Sequence, residues 1–90
     1  MPYGGAAMYL ITVFLTNESA FAKDFTVVDL FTGNEVLGWI NRTLQPSERQ
    51  PCMLNMEDQD STATMKYMSN FSHKWDEVGF LHNAEEVNLM

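Results

Sequence analysis

Aromatic side chains occupy alternate positions in the segment Ser69–Asp76 (SNFSHKWD), where single residues separate Phe71, His73 and Trp75. In an extended segment, side chains two positions apart point to the same side, so the three rings would form one row. The residues between and beside them carry hydrogen-bonding groups: Asn70, Lys74 and Asp76. A row of rings beside polar groups can hold a sugar ring or a peptide side chain. Tyr67, two residues before Ser69, would extend the row.

The same segment has a second interpretation, in which Phe71 and Trp75 fold over one end of a hydrophobic core. The indole nitrogen of Trp75 would then be hydrogen-bonded at the rim of that core. The other tryptophan, Trp39, lies within an apolar run and is predicted to be a core residue. Composition alone does not separate the two interpretations of the segment.

Methionine is unusually frequent, with seven residues in the chain. By alternation, Met53 and Met68 are predicted on the more polar faces of their strands, where flexible thioethers suit adaptable protein contacts. A second apolar layer, from the same chain or a second copy, explains them equally well. The last predicted strand, Glu86–Met90, contains Asn88 and has neither Pro nor Lys to protect it. At a sheet edge, its free N–H and C=O groups would pair with another chain.

Residues with metal-binding side chains are few. Cys52, His73 and His82 are the only cysteine and histidines, and they lack the short paired spacing of zinc sites. A copper site is rejected, because no histidine follows Cys52 closely. The loop Glu57–Ser61 gathers oxygen donors that suit a hard cation, although its spacing is not that of an EF-hand. We interpret this loop as a polar turn and leave cation binding there open.

Catalytic motifs are not recognisable in the sequence. It contains no glycine-rich phosphate loop and no G-x-S-x-G elbow. Carboxylates at Asp29, Asp76 and Glu77 could pair only if the fold set their separation. His73 lies near Ser72 and Asp76, but a catalytic triad is defined by geometry rather than by such proximity. We therefore predict that the protein is not an enzyme and uses no cofactor or metal.

The net charge is strongly negative, because twelve Asp and Glu residues face five Lys and Arg residues, which gives −7. Attraction to phosphate supplies most non-specific affinity for nucleic acids, so binding to nucleic acid or to anionic membranes is disfavoured. Basic protein partners remain compatible with this charge. A solvated acidic surface is the simplest interpretation.

Cysteine usage favours a reducing compartment, because a single cysteine, Cys52, cannot form an intrachain disulfide. Asn-x-Ser/Thr patterns beginning at Asn17, Asn41 and Asn70 keep secretion as the alternative. The apolar run Ala6–Leu15 lacks a basic leader and a cleavage site, and it is too short to span a bilayer. We interpret it as a buried strand and expect a cytoplasmic location.

The clearest structural signal is Phe25–Arg42 (FTVVDLFTGNEVLGWINR), where two apolar runs flank Thr32-Gly33-Asn34. This pattern predicts a β-hairpin with strands at Phe25–Phe31 and Glu35–Asn41, followed by a turn at Thr43–Glu48. Further strands are predicted at Met8–Thr16, Cys52–Glu57, Thr62–Met68, Glu77–His82 and Glu86–Met90. The last two are expected to form a hairpin around His82–Glu85. The first is apolar on both faces, which is typical of a central or doubly covered strand.

About seven short strands with frequent turns in 90 residues predict a single all-β domain, with residues 1–6 as a flexible lead-in. The favoured architecture is an antiparallel two-sheet β-sandwich, and a small β-barrel is the alternative. The turn Leu44–Glu48 (LQPSE), which leads into a strand, resembles connections in immunoglobulin-like and fibronectin-like sandwiches. The resemblance covers architecture only, and the lack of a Cys pair disfavours an antibody-type domain.

These observations predict a small acidic interaction module that binds a protein partner, or itself, through an edge strand and an aromatic–methionine surface. The residues expected to contribute are Met53, Tyr67, Met68, Phe71, His73, Trp75, Asp76 and Asn88. A carbohydrate-binding module that uses Phe71, His73, Trp75 and Tyr67 is the second hypothesis. The third, an acidic mimic of nucleic acid that occupies a nucleic-acid-binding protein, follows from the net charge alone.

Overall fold

The computed structural model describes residues 9–90, which form β-strands joined by turns and contain no helix. The eight strands are β1 (Tyr9–Asn17), β2 (Lys23–Asp29), β3 (Asn34–Glu35), β4 (Arg42–Leu44), β5 (Arg49–Met56), β6 (Ala63–Ser69), β7 (Asp76–Leu81) and β8 (Glu86–Leu89). The all-β class predicted from the sequence is confirmed. The predicted lead-in over residues 1–6 lies outside the described residues.

The strands form two sheets, each named here after its central strand. The β1 sheet has the order β5-β1-β8, and the β2 sheet has the order β3-β2-β6-β7 with β4 also paired to β2. Within residues 9–90 neither sheet closes into a barrel, so the barrel alternative is wrong. Residues of both sheets contribute to one hydrophobic cluster, which includes Val13 and Leu54 from one sheet and Phe25 and Met65 from the other.

Alternation along the strands selects the residues of this core. In β5, Cys52, Leu54 and Met56 are buried, and in β6 the same holds for Ala63, Met65 and Tyr67. Both sets are the ones that the period of two predicts. Strand β1 is central, as expected, but it buries only one face, because Leu10 on the other face is 58% exposed.

The hairpin predicted at Phe25–Arg42 is present but interrupted. β2 and β3 pair through Val28–Glu35 and Asp29–Asn34, and the N–H of Gly33, at φ 77°, donates to the carbonyl of Asp29 over 2.8 Å. The second strand does not run from Glu35 to Asn41, however. Both Val36 and Trp39 bond to the backbone of Val27, so that Leu37 and Gly38 protrude from the ladder. Pairing with β2 resumes only in β4, which occupies part of the predicted 43–48 turn.

The predicted closing hairpin between residues 77–82 and 86–90 is wrong. β7 pairs antiparallel with β6, whereas β8 pairs parallel with β1. The chain therefore crosses from one sheet to the other at His82–Glu85. The short turn favours an antiparallel partner, but β8 instead joins the β1 sheet, where Val87 and Leu89 bury their side chains in the shared core.

Asn17 is buried at the end of β1, which bears on one of the three Asn-x-Ser/Thr patterns. Its side-chain amide donates to the carbonyls of Phe21 and Leu44 over 2.8 and 2.9 Å. A glycan on that nitrogen would replace one of the two N–H donors at a side chain that is fully buried. Asn41 and Asn70, in contrast, are exposed. Between residues 9 and 90 the chain has no helix long and apolar enough to cross a membrane.

Candidate functional site

Strand β8 forms one edge of the β1 sheet. The N–H of Phe14 donates to the carbonyl of Glu85, and the N–H of Glu18 donates to that of Leu89, both over 2.9 Å. Because backbone groups alternate in direction along a strand, the N–H and C=O of Glu86 and Asn88 point away from β1. No residue of the described 9–90 range forms a backbone hydrogen bond with them. They are available to another chain.

The opposite edge of the same sheet, strand β5, is closed by the other sheet at Pro51 and Asn55. Pro51 has no N–H, and its carbonyl accepts a hydrogen bond from the indole nitrogen of Trp39 over 3.0 Å. The N–H of Asn55 donates to Oδ2 of Asp29 over 2.9 Å. The sequence places Pro51 before the strand, yet β5 accommodates it because its nitrogen faces this outer edge and removes no bond to β1.

The edges of the β2 sheet are irregular. In β7, Phe80 adopts φ 59°, and the register with β6 shifts between Ala63 and Met65. On the opposite side, the partner strand of β2 is interrupted at Leu37 and Gly38. Bulges and interruptions of this kind prevent a second chain from continuing a ladder. Among the strands described, β8 is therefore the edge with neither a proline nor a bulge.

An ion pair covers the outer face of the β1 sheet beside β8. Arg49 donates from Nε and Nη2 to the two carboxylate oxygens of Glu86 over 3.1 and 2.9 Å. Its guanidinium carbon lies 3.9 Å from the centroid of the Phe14 ring. The hydrogen bonds from Arg49 lower the pKa of the Glu86 carboxyl. The pair thus shields an aromatic ring and leaves the backbone edge of β8 open.

Met53 and Asn88, two of the residues predicted to bind a partner, lie on this outer face. Met53 of β5 pairs with Thr12 of β1 and is 52% exposed, while Asn88 of β8 pairs with Thr16 of β1. Leu10, on the same face, adds apolar surface. The prediction that Met53 lies on the polar face of its strand is confirmed.

A cleft of about 450 Å³ lies where β5 meets the interrupted strand. On the β5 side it is lined by Thr12, Pro51, Met53 and Asn55, and across from them lie Asp29, Glu35, Leu37, Trp39 and Arg42 among others. Its volume is within the range of small-molecule sites. Sequence reasoning missed this cleft. Gly38, an isolated glycine inside a predicted strand, was the one signal of the interruption that forms it.

Asp29 at one end of the cleft is buried, with 3% of its surface exposed. Its carboxylate accepts hydrogen bonds from the N–H of Phe31, over 2.9 Å, and from both the backbone and side-chain nitrogens of Asn55. These bonds satisfy a charge that would be costly to bury alone. They also join the two sheets, so the Asp29 carboxylate has a structural role.

Met68 and Trp75 lie at the end of the β6–β7 ladder. The β6–β7 register pairs Lys66 with Glu77 and Tyr67 with Asp76, and its extension places Trp75 opposite Met68. Trp75 is 42% exposed, and the ammonium of Lys66 lies 4.6 Å from its ring centroid. Lys66 therefore covers one face of the Trp75 ring, and a sugar would need such a face for stacking.

Residues 69–75 do not adopt the extended conformation that a row of three rings requires. After β6 the chain turns, because Oγ of Ser69 accepts hydrogen bonds from the N–H groups of Phe71 and Ser72 over 3.3 and 3.2 Å. His73 has φ 55°. Phe71 is exposed, with the Lys23 ammonium 5.3 Å from its ring centroid. Phe71, His73 and Trp75 consequently do not form a row along one strand face.

Tyr67 belongs to the core, so its proposed place in the exposed row is wrong. Its ring packs edge-to-face on Phe25 with the centroids 6.3 Å apart. Burial raises the pKa of the hydroxyl, and a hydrogen bond with the backbone of Met90 opposes that rise. Asp76, in contrast, begins β7 on the surface.

The oxygen-rich loop 57–61 is organised by one of its own side chains. Oδ1 of Asp58 accepts hydrogen bonds from the N–H of Asp60 and the hydroxyl of Ser61 over 2.9 and 3.1 Å. In the part of the chain that the structure describes, no three His, Cys, Asp or Glu side chains converge as metal ligands. Cys52 is buried, and burial raises its thiol pKa to about 12. That thiol is shielded from reagents and from ionisation.

The described residues thus define a small all-β protein with two sheets, one open edge strand and one cleft between the sheets. No protein-family model, curated protein or solved structure matches the chain. Its function is therefore argued from these surfaces.

Proposed function

We propose that the protein is a non-enzymatic interaction module that binds an extended segment of a partner protein, or a second copy of itself, along β8. The observation that carries this proposal is the contrast between edges. β5 is closed by Trp39 and Asp29, whereas the outward backbone groups of Glu86 and Asn88 bond to no described residue. A strand added there would continue the β1 sheet through main-chain hydrogen bonds.

The architecture proposed for this module is a two-sheet β-sandwich. It is supported by the single hydrophobic cluster that draws residues from both sheets. The parallel pairing of β1 with β8 departs from the antiparallel sheets of an immunoglobulin domain, so the likeness to that architecture rests on the Leu44–Glu48 turn alone. A cytoplasmic location agrees with a single, buried cysteine.

Backbone pairing at β8 provides limited affinity by itself. Two outward residues offer four hydrogen-bonding groups, and each net hydrogen bond contributes about 0.5–1.5 kcal/mol. The sum, about 2–6 kcal/mol, corresponds to dissociation constants in the millimolar range or weaker for most of that interval. Specific binding therefore needs side-chain contacts, and the outer face beside β8 supplies the exposed Asn88 side chain and the Arg49–Glu86 pair.

The test removes one outward N–H and leaves the fold intact. Asn88→Pro deletes a donor that points away from β1, as Pro51 does on the opposite edge, while Asn88→Ala keeps the donor and removes only the side chain. Peptides selected from a displayed random library against the wild-type protein are expected to bind Asn88→Ala and not Asn88→Pro. Light scattering over a concentration series reports self-association of the same variants. Equal binding and equal mass for the wild type and Asn88→Pro would overturn the proposal.

A further inference from the structure

The cleft beside β5 contains an isolated piece of unpaired backbone. Two hydrogen bonds join the sheets, one two residues before Met53 and one two residues after it. Nε1 of Trp39 donates to the carbonyl of Pro51, and the N–H of Asn55 donates to Asp29. Alternation along β5 makes the backbone groups of Met53 point in the same direction as those of Pro51 and Asn55. In the 9–90 range nothing bonds to the N–H or C=O of Met53. A ligand can therefore pair with one residue of this edge and no more.

One end of the cleft is basic. At the Pro51 end, the guanidinium of Arg42 lies 4.8 Å from the centroid of the Trp39 ring, and no carboxylate of residues 9–90 forms an ion pair with it. At the Asn55 end, the carboxylate of Asp29 is 3% exposed and accepts its hydrogen bonds from Phe31 and Asn55 within the fold. A guanidinium held against a ring suits a carboxylate.

The position of Arg42 sets the direction of a paired peptide. A peptide antiparallel to β5 places its amino end near Asn55 and its carboxyl end near Pro51. Its carboxylate then meets Arg42. The distance from Pro51 to Asn55 along the strand is about 13 Å, and an extended tripeptide spans about 10 Å. Continued pairing is blocked at both ends, so a longer chain has no further partner.

Apolar side chains border the middle of the cleft. Met53 is half exposed and Leu37 is 95% exposed, and both line the cleft. Leu37 occupies this position because the interruption at Gly38 ejects it from the β2 ladder. An exposed leucine of this kind has apolar surface to cover. The residue of the ligand that pairs with Met53 should accordingly be apolar.

We propose that this cleft binds short peptides with a free carboxyl terminus, of tripeptide size and with an apolar central residue. Met53 provides the backbone hydrogen bonds, and Arg42 binds the terminal carboxylate. The site is separate from the β8 edge and binds a different class of ligand. The two proposals therefore fail independently.

The probe is the tripeptide Ala-Leu-Ala, compared with its C-terminal amide. Binding is followed by isothermal titration calorimetry and by the fluorescence of Trp39 in a Trp75→Phe background. We expect saturable binding of Ala-Leu-Ala and a loss of about tenfold or more on amidation, since a charge-assisted hydrogen bond is removed. Arg42→Gln should cause a similar loss for the free peptide and no further loss for the amide. Lys74→Gln removes one positive charge from an exposed loop and is the matched control, expected to bind as the wild type does.

A second variant tests the backbone contact. Met53→Pro deletes the N–H of residue 53, which faces the cleft, and leaves the hydrogen bonds between β5 and β1 in place, as Pro51 does two residues earlier. Binding is expected to fall below detection. Where Met53→Pro fails to fold, as judged by circular dichroism, the peptide amide and Arg42→Gln still decide the question. Equal affinities for free and amidated peptide, unchanged binding by Arg42→Gln, or no saturable binding of Ala-Leu-Ala by the wild type would each overturn the proposal.

Discussion

Asn55 donates two hydrogen bonds to one oxygen of Asp29, from its backbone N–H over 2.9 Å and from its side-chain amide over 2.8 Å. The two residues belong to different sheets, so this contact fixes how the β2 sheet meets the edge of β5. It also closes that edge to other chains. One buried carboxylate thereby contributes to stability and to the choice of β8 as the open edge.

Removal of this carboxylate should destabilise the protein substantially. Asp29→Ala leaves the N–H groups of Asn55 and Phe31 without their acceptor, and we expect the free energy of unfolding to fall by about 2–4 kcal/mol. Urea denaturation followed by fluorescence measures the change. The matched control is Asp60→Ala, because Asp60 is exposed and should change stability by less than about 0.5 kcal/mol. A similar small effect at Asp29 would show that the carboxylate does not hold the sheets together.

The interruption at Gly38 provides a second stability prediction. Gly38 has φ 86°, and the space that a Cβ would occupy there is open, so a side chain is strained only through the backbone. Gly38→Ala should cost about 1–2 kcal/mol. Gly79→Ala is the control: its added Cβ would lie 3.5 Å from Oγ1 of Thr64, an ordinary contact, with no positive φ. Equal melting temperatures for the two variants would contradict the strained conformation at residue 38.

Local pattern was sufficient to predict most of the strands and the inward faces of β5 and β6. The period of two in Cys52–Met56 and Ala63–Tyr67 depends only on neighbouring residues, and both faces were predicted correctly. The position of Trp39 in the core followed from its apolar surroundings. Composition and alternation are sufficient to predict which residues of a strand are buried, because the apolar face of a strand is set by its own sequence.

Pairing between distant segments was not predictable in the same way. The N–H of Thr12 donates to the side chain of Asn83, 71 residues away, and nothing near β8 signals that it joins β1. Asp29 and Asn55 are 26 residues apart and resemble ordinary polar strand residues. The row of rings is absent for a local reason. The hydroxyl of Ser69 accepts hydrogen bonds that form a turn, and the alternation of aromatic residues gave no sign of that turn.

The Arg49–Glu86 pair should make stability depend on pH in acid. Arg49 lowers the pKa of Glu86 from its ordinary value of 4.5 in the folded protein, so the pair stabilises the fold above about pH 4.5. This contribution is lost as pH falls through the lower, folded-state pKa. The difference in urea midpoint between the wild type and Glu86→Gln should therefore shrink below pH 4.5, and high salt should reduce it at neutral pH. A difference that stays constant from about pH 7 to about pH 3 would contradict the pair's role.

Trp75→Ala separates protein binding at β8 from carbohydrate binding at the aromatic surface. Trp75 lies at the end of the β6–β7 ladder, with Lys66 over its ring, while β8 edges the other sheet. We expect the variant to fold and to keep its affinity for β8-binding peptides within about twofold, since no contact is removed there. Phe80→Ala, which also removes an exposed ring from the β2 sheet, is the control. Glycans that shift the tryptophan fluorescence of the wild type, and lose that effect in Trp75→Ala alone, would instead favour the carbohydrate-binding hypothesis.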